Sequence, residues 1–140
     1  MGADIGEFLA GVRVFHQLHV ALLEQVAGIA QVRTYEAGDI IVPQSGLGVD
    51  LFVVRSGAVE AVQDQNGQSV RLRTMRPGEV FGEIAILEQR PRTATVRALA
   101  PSTCVVINGL TLRRGLEKSP QTLREFEATV AERLSWPPTA

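Results

Sequence analysis

Cysteine, tryptophan and tyrosine occur once each, histidine only twice, and neither sign of charge dominates: 14 Lys+Arg stand against 15 Asp+Glu. A lone cysteine cannot close an internal disulfide, which argues against a stapled, secreted scaffold. With both histidines within the first 20 residues and no cysteine near them, a clustered metal site has little to build on, and none is expected. No stretch approaches about 18 uninterrupted apolar residues, so no membrane-spanning helix is expected. Met1–Phe8 has no basic, then apolar, leader pattern, and the expected compartment is cytoplasmic. A net charge of -1 and the lack of a polybasic tail disfavour nucleic acid as a general partner. What is present is ordinary for a folded domain: 45% hydrophobic residues, 21% charged, and 140 residues, enough for one core.

The pattern along the chain is helical at both ends and β-rich between. Ile5, Phe8, Leu9 and Val12, then Leu18, Leu22, Leu23, Val26 and Ile29, recur at helical spacing and predict an N-terminal helical segment over 1–30. From Gln31 the period shortens. Runs at Val32–Tyr35, Asp39–Val42, Leu51–Val54, Ala58–Val62, Ser69–Thr74, Thr95–Leu99 and Cys104–Ile107 are separated by turn residues. Asn66-Gly67 between two such runs is a hairpin signal, because both residues tolerate positive φ. Several strands without intervening helices point to a closed barrel or a jelly roll and exclude a doubly wound parallel sheet; the expected fold is an antiparallel β jelly-roll barrel over 31–108. C-terminal helices are expected over 109–135, with Ser119 as N-cap, Pro120 in the first turn, and Leu123, Phe126, Val130 and Leu134 on one face; 136–140 is a tail. All of this is read as one α+β domain.

The chemistry is concentrated in 77–96. Gly82 allows close approach of backbone to a ligand, and a short helix starting at Glu83 would present unpaired N–H groups to an anion. Arg92 follows a proline and precedes a β-rich run, so its planar fork can be held against phosphate oxygens. Six arginines against three glutamates between Arg71 and Arg97 make this region positive within a slightly negative chain. A carboxylate at Glu83 beside a phosphate site asks for a hydroxyl donor, and a ribose supplies one. Singly, each residue also reads as a plain turn, a solvated acid or a surface ion pair.

Phe81-Gly82-Glu83-Ile84-Ala85 with Pro91-Arg92-Thr93-Ala94-Thr95-Val96 closely resembles the phosphate-binding cassette of the cyclic-nucleotide-binding domain family. Ala37–Ile41 and Leu51–Gly57 resemble its early strands, so the resemblance runs from about Phe8 to Leu134. It implies a ligand, cAMP or cGMP, at Phe81, Gly82, Glu83, Ile84, Ala85, Arg92, Thr93 and Ala94. Arg92 would bind the cyclic phosphate, Glu83 the ribose 2′-hydroxyl, and backbone N–H groups of Gly82–Ala85 would complete the cradle. Thr93 stands where a hydroxyl reaches purine or phosphate. His19 departs from the family pattern, in which Ser or Asp caps the helix.

The implied function is a non-enzymatic sensor module that signals through movement of the C-terminal helices, with Asn108-Gly109 and Gly115 as joints. No cofactor is implied besides the ligand. The alternatives are a degenerate domain used for assembly and a fragment of a channel, transporter, kinase or transcription regulator. A DNA-binding role for this stretch alone is disfavoured because no recognition helix follows Leu134. A cupin-like metalloenzyme is disfavoured because both histidines, His16 and His19, lie outside the strands. Homo-oligomerisation and a fused or associated effector remain open, as does the choice between cAMP and cGMP. Cys104 reads as a small buried hydrophobe.

Overall fold

A computed structural model describes residues 2–16, 18–46, 48–82 and 94–134. Helix α1 (Gly2–Ala10), a 3-10 turn (Arg13–Phe15) and helix α2 (Val20–Ile29) precede eight strands. These are β1 (Gln31–Tyr35), β2 (Ile40–Val42), β3 (Leu51–Ser56), β4 (Val59–Gln65), β5 (Gln68–Met75), β6 (Val80–Phe81), β7 (Thr95–Ala98) and β8 (Ser102–Ile107). Helices α3 (Gly109–Glu117) and α4 (Pro120–Leu134) follow.

The strands form two antiparallel four-stranded sheets, ordered β1-β8-β3-β6 and β2-β7-β4-β5. Every connection between β2 and β7 except the β4–β5 hairpin passes from one sheet to the other, as in a double-sheet jelly roll. The jelly roll expected from the strand pattern is therefore present, but the barrel is not. Among the described residues no strand pairing joins the sheets, and Phe52, Phe81, Met75 and Val96 fill the space between them. Sheets separated by such side chains stand about 10 Å apart, twice the spacing at which strand edges pair.

The apolar run of β3 has a direct structural cause. Leu51 and Val53, beside Ile107 and Val105 of β8, face the helices; Phe52 and Val54, beside Val106 and Cys104, face the other sheet. A strand covered on both faces has no polar alternation to show. Leu9, Phe15, Val26, Leu112, Leu116 and Phe126 complete the helix-side core. The described helices thus pack on one sheet, and among the described residues no helix packs on the outer face of the second.

Caps and turns follow the local sequence. Asn108 caps α3, its Oδ1 accepting from the Thr111 N–H at 3.0 Å. The Ser119 hydroxyl accepts from the Thr122 N–H at 3.3 Å, so the expected Ser119-Pro120 start of α4 is observed. Asn66 (φ 56) and Gly67 (φ 83) turn the β4–β5 hairpin, and Asp64 accepts from the Gly67 N–H. His19 precedes α2 without a side-chain cap bond.

Neither expected joint is a loose one. Gly109 is a buried residue of α3, and Gly115 lies within α3 against α2, where an added Cβ would stand 2.2 Å from Leu22 Cδ1. Glycine there serves close packing and not swivelling.

Candidate functional site

The segment singled out by sequence begins in a tight turn. Gly78 has φ 92, its N–H donates to the Val54 carbonyl at 2.8 Å, and the Val54 N–H donates to the Glu79 carbonyl at 2.9 Å. These bonds extend the β3 pairing toward β6, a strand of two residues that sequence reading passed over. Alternation has no meaning over two residues, so β6 has no periodic signal of its own. Packing supplies what length does not. Phe81 lies opposite Phe52 in the register, their rings stack with centroids 4.8 Å apart, and an Arg73 Nη donates from the second sheet to the Val80 carbonyl at 3.4 Å.

Of the residues assigned to the ligand, Phe81 is thereby placed in the core between the sheets, with 4% of its surface exposed. Its contribution is to fix the end of β6. Gly82 follows at φ 90, in the region where a side chain is disfavoured. Ala94 packs against the same core immediately before β7. Glu83, Ile84, Ala85, Arg92 and Thr93, together with the short cassette helix, lie outside the described residues. Their two flanks are well defined: the chain enters from β6 at an edge of the first sheet and leaves into β7 of the second.

The exit flank carries polar contacts that sequence reading missed. Thr95, the first residue of β7, accepts from the Gln44 N–H at 2.8 Å. The Gln44 amide oxygen accepts from the Asp64 N–H at 2.7 Å. On β4, Glu60 is buried to 1% exposure and accepts from Arg97 Nε at 2.5 Å and Arg71 Nε at 2.7 Å. Burial alone would raise the Glu60 pKa; the hydrogen bonds and charges of Arg97 and then Arg71 outweigh it and hold the carboxyl below its ordinary range. This revises the charge argument. Arg71 and Arg97 are committed to Glu60, outside the segment counted, and Arg73 to a backbone carbonyl, so the excess of arginines is partly structural. An acid inside the apolar run Ala58–Val62 was the sequence signal for this cluster.

Cys104 is fully buried between the sheets, and burial pushes its thiol up to about 11, so it is a neutral packing residue at physiological pH. Burial likewise raises the Tyr35 phenol, chiefly by desolvation.

A two-sheet jelly roll with described helices packed on one sheet, and a glycine-started connection between β6 and β7, places the chain among α+β jelly-roll domains. Within that class the assignment is specific: the family described as Cyclic nucleotide-binding domain matches residues 32–119, and the chain belongs to it. It is 30% identical over 98 residues to a cAMP-dependent protein kinase regulatory subunit of Blastocladiella emersonii, covering 69% of this chain and 24% of that one. It is 32% identical over 106 residues to a cGMP-dependent protein kinase of Eimeria tenella, covering 75% of this chain and 10% of the relative. The chain therefore spans a quarter or less of these relatives. Among solved structures, the catabolite activator protein of Thermus thermophilus superposes with a TM-score of 0.74 at 28% identity, over 86% of this chain and 57% of that one. The sensor domain of the transcriptional regulator DNR from Pseudomonas aeruginosa shares the fold, with a TM-score of 0.85 at 18% identity over 95% of this chain and 90% of that one.

Proposed function

We propose that the chain is the sensor module of a regulator and binds a cyclic mononucleotide, cAMP first and cGMP second, at the β6–β7 connection. The observation that carries this reading is Gly82 at φ 90, ending a β6 fixed by the Phe52–Phe81 stack and opening the sequence that holds both charged anchors. In this reading the Arg92 guanidinium donates to the cyclic phosphate, with N–H groups of Gly82–Ala85 completing the cradle. Glu83 accepts from the ribose 2′-hydroxyl. The Thr93 hydroxyl meets phosphate or purine and contributes to the choice of base.

The module is non-catalytic and works in the cytoplasm in this reading, and no helix of the described residues is long and apolar enough to cross a membrane. The two kinase relatives support a larger whole, with an effector fused or associated. Output passes through α3 and α4, which pack on the sheet that β6 borders. Ligand can shift that packing only by favouring one arrangement.

Calorimetric titration against cAMP, cGMP and a cyclic dinucleotide tests the assignment. Saturable 1:1 binding of a mononucleotide, with the dinucleotide silent, is expected. Absence of binding to all three would leave a domain used for assembly. Hydrogen exchange with and without nucleotide tests the output, with changed protection expected beyond Gly109; a change confined to 78–96 would remove the helix movement from the reading.

A further inference from the structure

We infer that Gln44 is a positioning residue for ligand binding, acting through Thr95; this rests on the assignment of the nucleotide to the β6–β7 connection. Gln44 sits in the loop after β2, far from 83–93 in sequence, and bonds to β7 at Thr95 and to β4 at Asp64. Its backbone N–H donates to Thr95 Oγ1 at 2.8 Å. Its side-chain amide bridges the backbone of Asp64 on β4, the oxygen accepting from Asp64 N–H at 2.7 Å and Nε2 donating to the Asp64 carbonyl at 3.4 Å. The register explains the location. Among the described residues β7 pairs with β4 from Ala98–Val59 up to Thr95–Val62. The Gln44 amide takes up the backbone of Asp64, two residues further along β4.

The loop is shaped to hold that pose. Residues 43–46 close on a bond from the Gly46 N–H to the Pro43 carbonyl at 3.0 Å. Ser45 takes φ 65, a left-handed conformation that costs a non-glycine residue energy. At Gly46 a Cβ would stand 2.9 Å from both the Pro43 carbonyl oxygen and its ring. A strained serine followed directly by a glycine whose Cβ has no room, both within the turn, is maintained only when the surroundings over-determine the conformation. What this conformation delivers is one N–H and one amide aimed at two strands.

Thr95 stands three positions after Arg92 in the sequence. Its hydroxyl therefore sets the rotation at which the chain arrives at β7, and a guanidinium that must meet phosphate oxygens bidentately is sensitive to such a rotation. Gln44 touches no ligand in this account. It fixes the start of β7, three positions after Arg92 in the sequence.

The test measures cAMP affinity by calorimetry and ligand-free melting for the wild type and for Thr95→Val, Thr95→Ser and Gln44→Ala. Thr95→Val keeps shape and loses the acceptor; Thr95→Ser keeps the acceptor. Affinity is expected to fall about tenfold in Thr95→Val and in Gln44→Ala, and to return to within about threefold of wild type in Thr95→Ser, whatever its melting temperature. A residue serving stability alone would let affinity and melting diverge, with all folded variants binding alike. Wild-type affinity in both Thr95→Val and Gln44→Ala overturns the positioning role while leaving the nucleotide site standing. A wild-type chain that binds neither cAMP nor cGMP overturns the site assignment, and this inference with it.

Discussion

Arg97 Nε donates to Glu60 Oε2 at 2.5 Å across the β4–β7 pairing, and the carboxylate it covers is only 1% exposed. Arg71 holds the other oxygen from β5, so one carboxylate ties three adjacent strands, β7, β4 and β5, of the second sheet. The arginines are partly solvated, which makes the pair asymmetric. Loss of one arginine leaves the other to compensate, and loss of both strands a buried charge.

Arg97→Met should therefore cost about 1–2 kcal/mol and the Arg71→Met/Arg97→Met double variant about 3–5 kcal/mol, more than the singles sum to. The acid limb follows from the lowered Glu60 pKa. The triad's contribution is complete above the ordinary value of 4.5 and is lost as pH falls from there through the lower folded-state value. Denaturant unfolding between pH 7 and pH 3 checks this: the wild type should lose more stability below about pH 4.5 than Glu60→Gln, which has nothing to protonate.

Gly57 and Ser102 lock the β3–β4 turn to the start of β8. At Gly57, φ is 86 and a Cβ would meet Ser102 Oγ at 2.3 Å and the Pro101 carbonyl oxygen at 2.5 Å. Ser102 is buried, and its hydroxyl donates to the Ala100 carbonyl at 2.7 Å and accepts from the Ala58 N–H at 3.2 Å. Gly57→Ala should cost about 3 kcal/mol or more, because the clash is with backbone and the conformation is strained as well. Ser102→Ala should cost about 1–3 kcal/mol through the orphaned backbone partners. A Gly57→Ala melting curve within a degree or two of wild type would show that the turn can rearrange freely.

The Gly115–Leu22 contact predicts coupling between the two positions. In the wild-type background Gly115→Ala places a methyl against the end of the Leu22 side chain, which must turn aside, so the gain of about 1 kcal/mol in helix propensity is offset in part or whole. With Leu22→Ala in place the clash is gone and the same substitution should stabilise by about 1 kcal/mol. Additivity of the two substitutions in a four-member unfolding cycle would show that α2 and α3 do not touch through this pair.

How much of this was readable in advance depends on the range of the forces involved. Asn66-Gly67, Ser119-Pro120 and the helical faces are local, and each was legible because the residues that form them are adjacent or one turn apart. Val32–Tyr35 and Cys104–Ile107 were readable as strands; their pairing, Val32 with Val105, was not, since nothing local specifies a partner so distant in the chain. The separation of barrel from sandwich was equally hidden, because both produce the same strand rhythm. At the candidate site, Gly82, Glu83 and Arg92 stood out by type and spacing. Gln44, Glu60 and Arg97 did not, because their meaning comes from Thr95, Arg71 and each other across strands.

The proposed ligand contacts predict a pattern that separates phosphate from ribose. Arg92→Ala should lower cAMP affinity by on the order of 2–4 kcal/mol, the scale of a charge-assisted, bidentate contact in a shielded site, while the melting temperature of the free protein stays near wild type. Glu83→Ala should weaken cAMP binding as well, with one difference: 2′-deoxy-cAMP lacks the hydroxyl that Glu83 would accept from, so its affinity should barely change. Protein and ligand thus form two sides of a double-mutant cycle, and the coupling between Glu83 and the 2′-hydroxyl is read directly. Arg92→Ala, by contrast, should weaken both ligands equally, since both carry the same cyclic phosphate. Calorimetry on the four combinations decides between the assignments. Equal losses of cAMP and the deoxy analogue in Glu83→Ala would take the ribose away from Glu83, and undiminished cAMP binding in a folded Arg92→Ala would take the phosphate away from Arg92.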